Sequence, residues 1–131
     1  MQQDLSENTV TAWLFASVPG FSNSPEARGL DEEEREDPLC VGRALASYAV
    51  RLVKSARGGP WRGSTREAQL AELFESLEAL AGNADSGVQN FLQVYIFEAI
   101  EEEEKVMEEF ARHLGPKARE LWGEVFFLGY E

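Results

Sequence analysis

The apolar residues of this chain recur mostly at intervals of three and four, and the densest apolar stretch lies at 88–100 (VQNFLQVYIFEAI). Nine of these thirteen residues are apolar, and they leave one polar strip at Gln89, Asn90 and Gln93. A helix that is apolar nearly all round is either a membrane span or the central helix of a bundle. Because a membrane span needs about 20 residues, the pattern predicts a buried central helix at about 87–101.

Amphipathic segments on both sides of this stretch predict further helices at 5–18, 38–56, 65–81 and 116–128. No segment shows the two-residue period of a strand. We therefore predict an all-α fold, a compact bundle of five or six helices in a single domain over 1–131. Short solenoid-like stacking of helical pairs is the alternative. The segment 19–37 is predicted to be a loop with an acidic run, and 57–64 a turn.

Local signals mark several helix ends. Asp37-Pro38 has the N-cap and N1 residues of a helix, and Gly115-Pro116 opens the last one. Ser64 and Glu67 have the spacing of a capping box. No helix-breaking residue separates 87–100 from 101–114, so the pattern leaves open whether 87–114 is one helix or two.

Charge restricts the classes of partner. The chain has 24 acidic residues against 12 basic ones, a net charge of −12. Such a surface repels nucleic acid and anionic lipid and attracts basic proteins. With Cys40 as the sole cysteine and no signal-peptide pattern at the N-terminus, we expect a cytoplasmic protein without disulfides.

Glu98 is the most unusual polar residue of the predicted central helix. At 100° per residue it falls between Phe91 and Val94 on the apolar arc, where a lone charge would be costly. It is then either a functional carboxylate or the partner of an arginine such as Arg43 or Arg51. We favour the ion pair.

Acidic residues between 98 and 109 suggest a metal site, but the spacing does not support one. The only histidine is His113, and the residue three positions before it is Phe110. The Glu-x-x-His pattern of di-iron bundles needs a glutamate there, so that pattern is excluded. A carboxylate site for a divalent metal, using Glu98 with Glu101 or Glu102, is the alternative function, that of an enzyme. We expect no metal, no cofactor and no catalytic residue, and Cys40 with distant His113 does not resemble a nucleophilic pair.

One basic segment interrupts the acidic chain. Its five cations surround Trp61 with no acid among them: Arg51, Lys54, Arg57, Arg62 and Arg66. Such a segment can bind phosphate. We favour packing against an acidic run of the same molecule, or a self-complementary contact in a homodimer.

The order of four segments resembles a family of small bacterial helical proteins of uncharacterised function, in which a Phe-Leu-Glu-like central helix precedes a Leu-Gly-Pro turn. The segments lie within about 38–128 and comprise 38–48 (PLCVGRALASY), 73–81 (LFESLEALA), 88–98 (VQNFLQVYIFE) and 114–121 (LGPKAREL). The resemblance implies a likeness to immunity proteins, which neutralise a toxin delivered by a neighbouring cell. It implies no catalytic residue.

Together these features favour a protein-binding module that is not an enzyme and that engages a basic protein partner. The specific hypothesis is an immunity-type protein that neutralises a basic toxin. A helical scaffold or adaptor is a further alternative. The predicted partner-binding residues are the acids of two runs with one aromatic: Glu32, Glu33, Glu34, Trp61, Glu98, Glu101, Glu102 and Glu104.

Overall fold

The structure is a computed structural model that describes residues 5–6, 8–57, 65–83, 85–100 and 104–126. The described residues are helical with no strand, which confirms the predicted all-α bundle. None of their helices is both long and apolar enough to cross a membrane. The eight helices of the described residues are α1 (Val10–Ser17), α2 (Pro19–Ser22), α3 (Pro25–Arg28), α4 (Pro38–Arg57), α5 (Thr65–Ala81), α6 (86–100), α7 (Glu104–Arg112) and α8 (Pro116–Phe126).

The two short helices α2 and α3 lie in a segment that was predicted to be a loop. Pro19 and Pro25 each occupy the first turn of their helix, where the missing N–H is no loss. The Ser24 hydroxyl caps α3 by accepting the Ala27 N–H at 3.2 Å. The loop prediction is therefore wrong for 19–22 and 25–28. The predicted turn at 57–64 lies, from Gly58 onward, outside the described residues.

Helix α6 is the predicted central helix, but its middle is not α-helical. It begins as an α-helix at Ser86–Asn90, continues as a π-helix over Phe91–Phe97 and ends as an α-helix at Glu98–Ile100. The Asp85 carboxylate caps it by accepting the Val88 N–H at 3.0 Å. Whether α6 joins α7 depends on 101–103, which lie outside the described residues. The buried side chains of α6 are Val88, Phe91, Leu92, Ile96, Phe97 and Ile100.

Helix α4 packs closely against the π-helical part of α6, because Gly42 has no side chain. A Cβ atom at Gly42 would lie 2.6 Å from the Tyr95 Cβ and 3.1 Å from the Tyr95 carbonyl oxygen. The inward face of α4 is buried, as the sequence predicts, with Tyr48 and Leu52 both 1% exposed. The α4–α6 pair therefore forms the centre of the bundle.

Helix α8 is attached to α5 by polar contacts. The Glu78 carboxylate of α5 accepts the backbone N–H groups of Lys117 and Ala118, each at 3.0 Å. These amides lie in the first turn of α8 and have no partner within that helix. Beside this contact, the Trp122 ring packs on Phe97 and Phe110 with ring centroids 5.0 and 5.2 Å apart.

Candidate protein-binding face

The acidic run 31–37 is an ordered turn held by its own hydrogen bonds. The Asp31 N–H donates to the Glu34 carboxylate at 2.9 Å, and the Glu34 N–H donates to Asp31 at 2.8 Å. This reciprocal pair is a capping box, here at the start of a single 3₁₀ turn, Glu34–Glu36. The turn ends at Asp37, whose carboxylate accepts the Leu39 N–H at 3.0 Å and so caps α4. We call residues 31–37 the acidic turn.

The only cation of the acidic turn, Arg35, is directed inward. Its guanidinium donates to the carbonyl oxygens of Leu30 and Ala27, each at 3.3 Å, and lies 5.4 Å from the centre of the Phe15 ring. Arg35 thus anchors the turn to α1 and α3 and is itself half-buried. The exposed acids of the turn are Asp31, Glu32, Glu33, Glu36 and Asp37.

The structure separates the three acids of this turn that were predicted to bind a partner. Glu32 and Glu33 are exposed and available for contact. Glu34 is half-buried, and one of its carboxylate oxygens holds the capping box. Its observed contact is therefore structural, with a role in shaping the turn.

Glu98 is not on the apolar face, so its prediction as a buried carboxylate is wrong. The residue is exposed, and it forms no hydrogen bond or ion pair with another described residue. Neither arginine suggested as its partner pairs with it. Arg51 instead forms a bidentate ion pair with Glu26 of α3, at 2.8 and 2.9 Å, and Arg43 has no such partner among the described residues.

The π-helix explains this error. A residue seven positions after Phe91 lies nearly above it in an α-helix, because seven residues make almost two turns. Hydrogen bonds from i to i+5 put more residues into each turn. Glu98 is therefore rotated away from buried Phe91 and toward solvent, on the same side as Val94, which is 38% exposed.

Two exposed apolar side chains lie near exposed acids in the chain. Leu39, 40% exposed, and Val94 are the two large hydrophobic residues that stand out from the described surface. Leu39 precedes Gly42 by about one helical turn and Val94 directly precedes Tyr95, so each lies close in the chain to a residue of the α4–α6 contact. Leu39 follows Asp37 of the acidic turn by two residues, and Val94 precedes Glu98 by four. We call the acidic turn together with Leu39, Val94 and Glu98 the acidic face.

The remaining predicted contact residues cannot be placed on this face. Trp61, Glu101 and Glu102 lie outside the described residues. Glu104 begins α7, but its side chain is also outside them. Within the described part of the chain, no three His, Cys, Asp or Glu side chains lie close enough to hold a metal ion.

Neither nucleophile candidate is activated by its surroundings. Burial and the adjacent Asp37 raise the pKa of the Cys40 thiol, whose sulfur lies 3.6 Å from that carboxylate. Burial lowers the pKa of His113, whose ring stacks on Phe74 with centroids 5.0 Å apart. A raised thiol pKa reduces the thiolate fraction on which cysteine reactivity depends.

Two features of the face escaped the sequence reasoning. Leu39 lies off the inward stripe of α4, so its angular position on the helix could have revealed it. The inward direction of Arg35 had no comparable signal, because it depends on carbonyl groups of Ala27 and Leu30 that the fold brings to it.

These observations define a class of protein, a helical bundle whose described surface carries an ordered acidic turn and two exposed apolar side chains. The chain belongs to the family described as a domain of unknown function, DUF7674, whose model matches residues 12–129. This agrees with the expected membership of a family without an assigned function. No curated protein and no solved structure matches the chain.

Proposed function

We propose that this protein is a binding module that docks a basic protein partner on the acidic face. The observation that supports this function best is that Leu39 and Val94 are exposed apolar side chains, each a few residues from exposed carboxylates in the chain. Protein interfaces commonly combine a desolvated apolar centre with a polar rim. Here Leu39 and Val94 supply the centre, and Glu33, Glu36 and Glu98 supply the rim.

The acidic turn suits a docking role because it is ordered before binding. The capping box and the Arg35 contacts fix the backbone, so little conformational freedom is lost when a partner binds. Exposed carboxylates on a chain of net charge −12 also accelerate the encounter with a basic protein. In its most specific form the proposal is an immunity-type protein of the bacterial cytoplasm that neutralises a basic toxin.

A set of single variants tests the proposal. Affinity capture from the source cells with the wild-type chain, Leu39→Asp, Glu33→Lys and Glu120→Lys identifies partners, which are then purified. Glu120 is exposed on α8, outside the acidic face, and Glu120→Lys matches the charge change of Glu33→Lys. We expect one basic protein that binds the wild type and Glu120→Lys, and that binds Leu39→Asp and Glu33→Lys at least tenfold more weakly.

The rate constants add a second criterion. Raising the salt concentration should lower the association rate more than it raises the dissociation rate, because screening acts mainly on the long-range encounter. Salt-insensitive association, equal binding by all four proteins, or a partner that is not basic would each contradict the proposal.

A further inference from the structure

A groove runs along the exposed side of α4, on the C-terminal side of Gly42. Its volume is about 700 Å³, and its apolar lining consists of Ala46 and Val50 from α4 with Ala99 from α6. Pockets that hold small molecules typically have volumes of about 300–1,000 Å³. The groove is thus large enough for an organic molecule, and small side chains keep it open.

The charge of the groove is opposite to that of the chain. Arg43, Arg51 and Lys54 line it, together with the polar residues Ser47 and Ser55, and none of the described lining residues is acidic. Because Arg51 is paired with Glu26, the positive charge that this lining offers to a ligand lies mainly at Arg43. Cations beside an apolar surface select a ligand that is both anionic and partly apolar.

Arg51 is held in place before any ligand binds. Its Nε and Nη2 groups donate to the two oxygens of Glu26 at 2.8 and 2.9 Å, and its guanidinium lies 5.6 Å from the centre of the Tyr48 ring. A guanidinium has five N–H donors, so Arg51 retains donors after this ion pair is made. The fixed side chain forms one wall of the groove.

Arg43 is the cation best placed to accept a new partner. It is exposed, and it forms no hydrogen bond or ion pair with a described residue. It lies eleven residues before Lys54 on the same helix, a rise of about 16 Å. Cations therefore stand at both ends of the apolar lining.

We propose that this groove binds a small organic anion, whose phosphate or carboxylate group pairs with Arg43. The apolar part of the ligand lies over Ala46, Val50 and Ala99. None of the described residues that line the groove is one of the residues of the acidic face, and the proposal does not depend on the proposed protein partner.

Four probes test the chemistry by isothermal titration calorimetry with the full chain. Octyl phosphate and octanoate carry the two head groups on the same apolar chain, inorganic phosphate lacks the chain, and octanol lacks the charge. We expect one or both octyl anions to bind, inorganic phosphate to bind at least tenfold more weakly, and octanol to give no heat. The better of the two octyl anions identifies the head group. No binding of either, or equal binding of inorganic phosphate, would overturn the proposal.

Two matched variants locate the site. Arg43→Gln should weaken binding of the better octyl anion about tenfold or more, because a charge-assisted hydrogen bond is lost. Arg28→Gln removes the same charge from exposed Arg28 on α3, outside the groove lining, and should change the affinity less than twofold. Thermal melts establish that both variants are folded. Unchanged binding by Arg43→Gln, or an equal loss in Arg28→Gln, would show that the groove is not the site.

Hexaglutamate separates a small-molecule site from a peptide groove. An acidic peptide has charge without a continuous apolar chain, so we expect it to bind more weakly than the better octyl anion. Tighter binding of hexaglutamate, lost in Arg43→Gln, would assign the groove to an acidic protein segment and overturn the small-molecule proposal.

Discussion

The contact between α4 and α6 and the contact between α5 and α8 join helices closely by opposite means. At the first, Gly42 removes a side chain so that its backbone approaches Tyr95. At the second, Glu78 adds a carboxylate that accepts two backbone N–H groups of α8. The first contact depends on volume and the second on hydrogen bonding and charge, so different changes should break them.

The largest effect is expected at Gly42. A Cβ atom there meets the backbone and Cβ of Tyr95 at 2.6–3.2 Å, and a backbone in the middle of the bundle cannot easily move aside. We expect Gly42→Ala to lower the free energy of unfolding by about 3 kcal/mol, the upper part of the range for overpacking. Chemical denaturation measures this change.

Gly123 provides the matched control for Gly42. It also lies inside a helix, but a Cβ atom there would meet nothing within 4 Å. Gly123→Ala should therefore raise the free energy of unfolding by about 0.5–1 kcal/mol through helix propensity alone. Equal effects at the two glycines would mean that Gly42 is not a close contact.

A third glycine tests whether such a contact can be relieved. A Cβ atom at Gly20 would lie 2.5 Å from the Tyr48 hydroxyl oxygen, the end of a side chain and not backbone. Gly20→Ala should cost about 2 kcal/mol. In a Tyr48→Phe background the cost should fall by more than half, because the opposing oxygen is gone. A double-mutant cycle without coupling would contradict this geometry.

Tyr48→Phe alone serves as the reference for that cycle. The Tyr48 hydroxyl is buried and has no hydrogen-bond partner among the described residues, and burial together with nearby Glu72 raises the pKa of Tyr48 to about 12. A buried hydroxyl without a partner costs free energy. We therefore expect Tyr48→Phe to be at least as stable as the wild type, by up to about 1 kcal/mol.

The polar contact of α5 with α8 can be weakened in two steps by two substitutions of Glu78. Glu78→Ala leaves two N–H groups of the first turn of α8 without their acceptor, at an expected cost of about 1.5 kcal/mol, typical of a lost helix cap. Glu78→Gln retains one acceptor oxygen and should cost less. If Glu78→Gln is as damaging as Glu78→Ala, the amide does not reproduce the cap.

The smallest expected effect is the pH dependence of stability that comes from a second polar contact, the ion pair of Glu26 with Arg51. The hydrogen bond from Arg51 holds the pKa of the Glu26 carboxyl below its ordinary value of 4.5, against the effect of burial. A carboxyl whose pKa is lower in the folded state stabilises the fold fully above its unfolded pKa and loses that contribution as pH falls through its folded pKa. Because the Arg51 side chain is 45% exposed, we expect the ion pair to contribute only about 0.5 kcal/mol to the free energy of unfolding.

Unfolding between about pH 6 and pH 3 measures this contribution. The wild type should lose slightly more stability than Glu26→Gln over that range, while the cost of Gly42→Ala should stay constant. A Glu26→Gln curve parallel to that of the wild type would show that the ion pair contributes nothing to stability.

The sequence predicted best those helices whose ends have their own chemical signals. Helices α4, α5 and α8 begin within one residue of their predicted starts. Their start signals are Asp37-Pro38 for α4, the Ser64 and Glu67 spacing for α5 and Gly115-Pro116 for α8, and each depends only on residues next to the helix start. The short helices α2 and α3 were missed because prolines and serines are common both in loops and at helix starts.

The candidate sites were predicted less well than the fold. The outward position of Glu98 follows from the π-helix over Phe91–Phe97, and a regular α-helical period of 3.6 residues cannot anticipate such a segment. The groove was missed because it needs Ala99 beside α4, a neighbour that no local pattern specifies. The exposure of Glu32 and Glu33 could be predicted because both residues lie in an acidic run.

The Gly42–Tyr95 contact also sets a limit on sequence variation. Every other amino acid brings at least a Cβ atom to 2.6 Å from the Tyr95 Cβ and 3.1 Å from the Tyr95 carbonyl oxygen. In a scan of all substitutions, position 42 should tolerate none of the nineteen alternatives well, whereas position 123 should accept most small ones. No change of a neighbouring side chain is therefore expected to make room fully for another residue at position 42, because the atoms in the way include the main-chain carbonyl group of Tyr95.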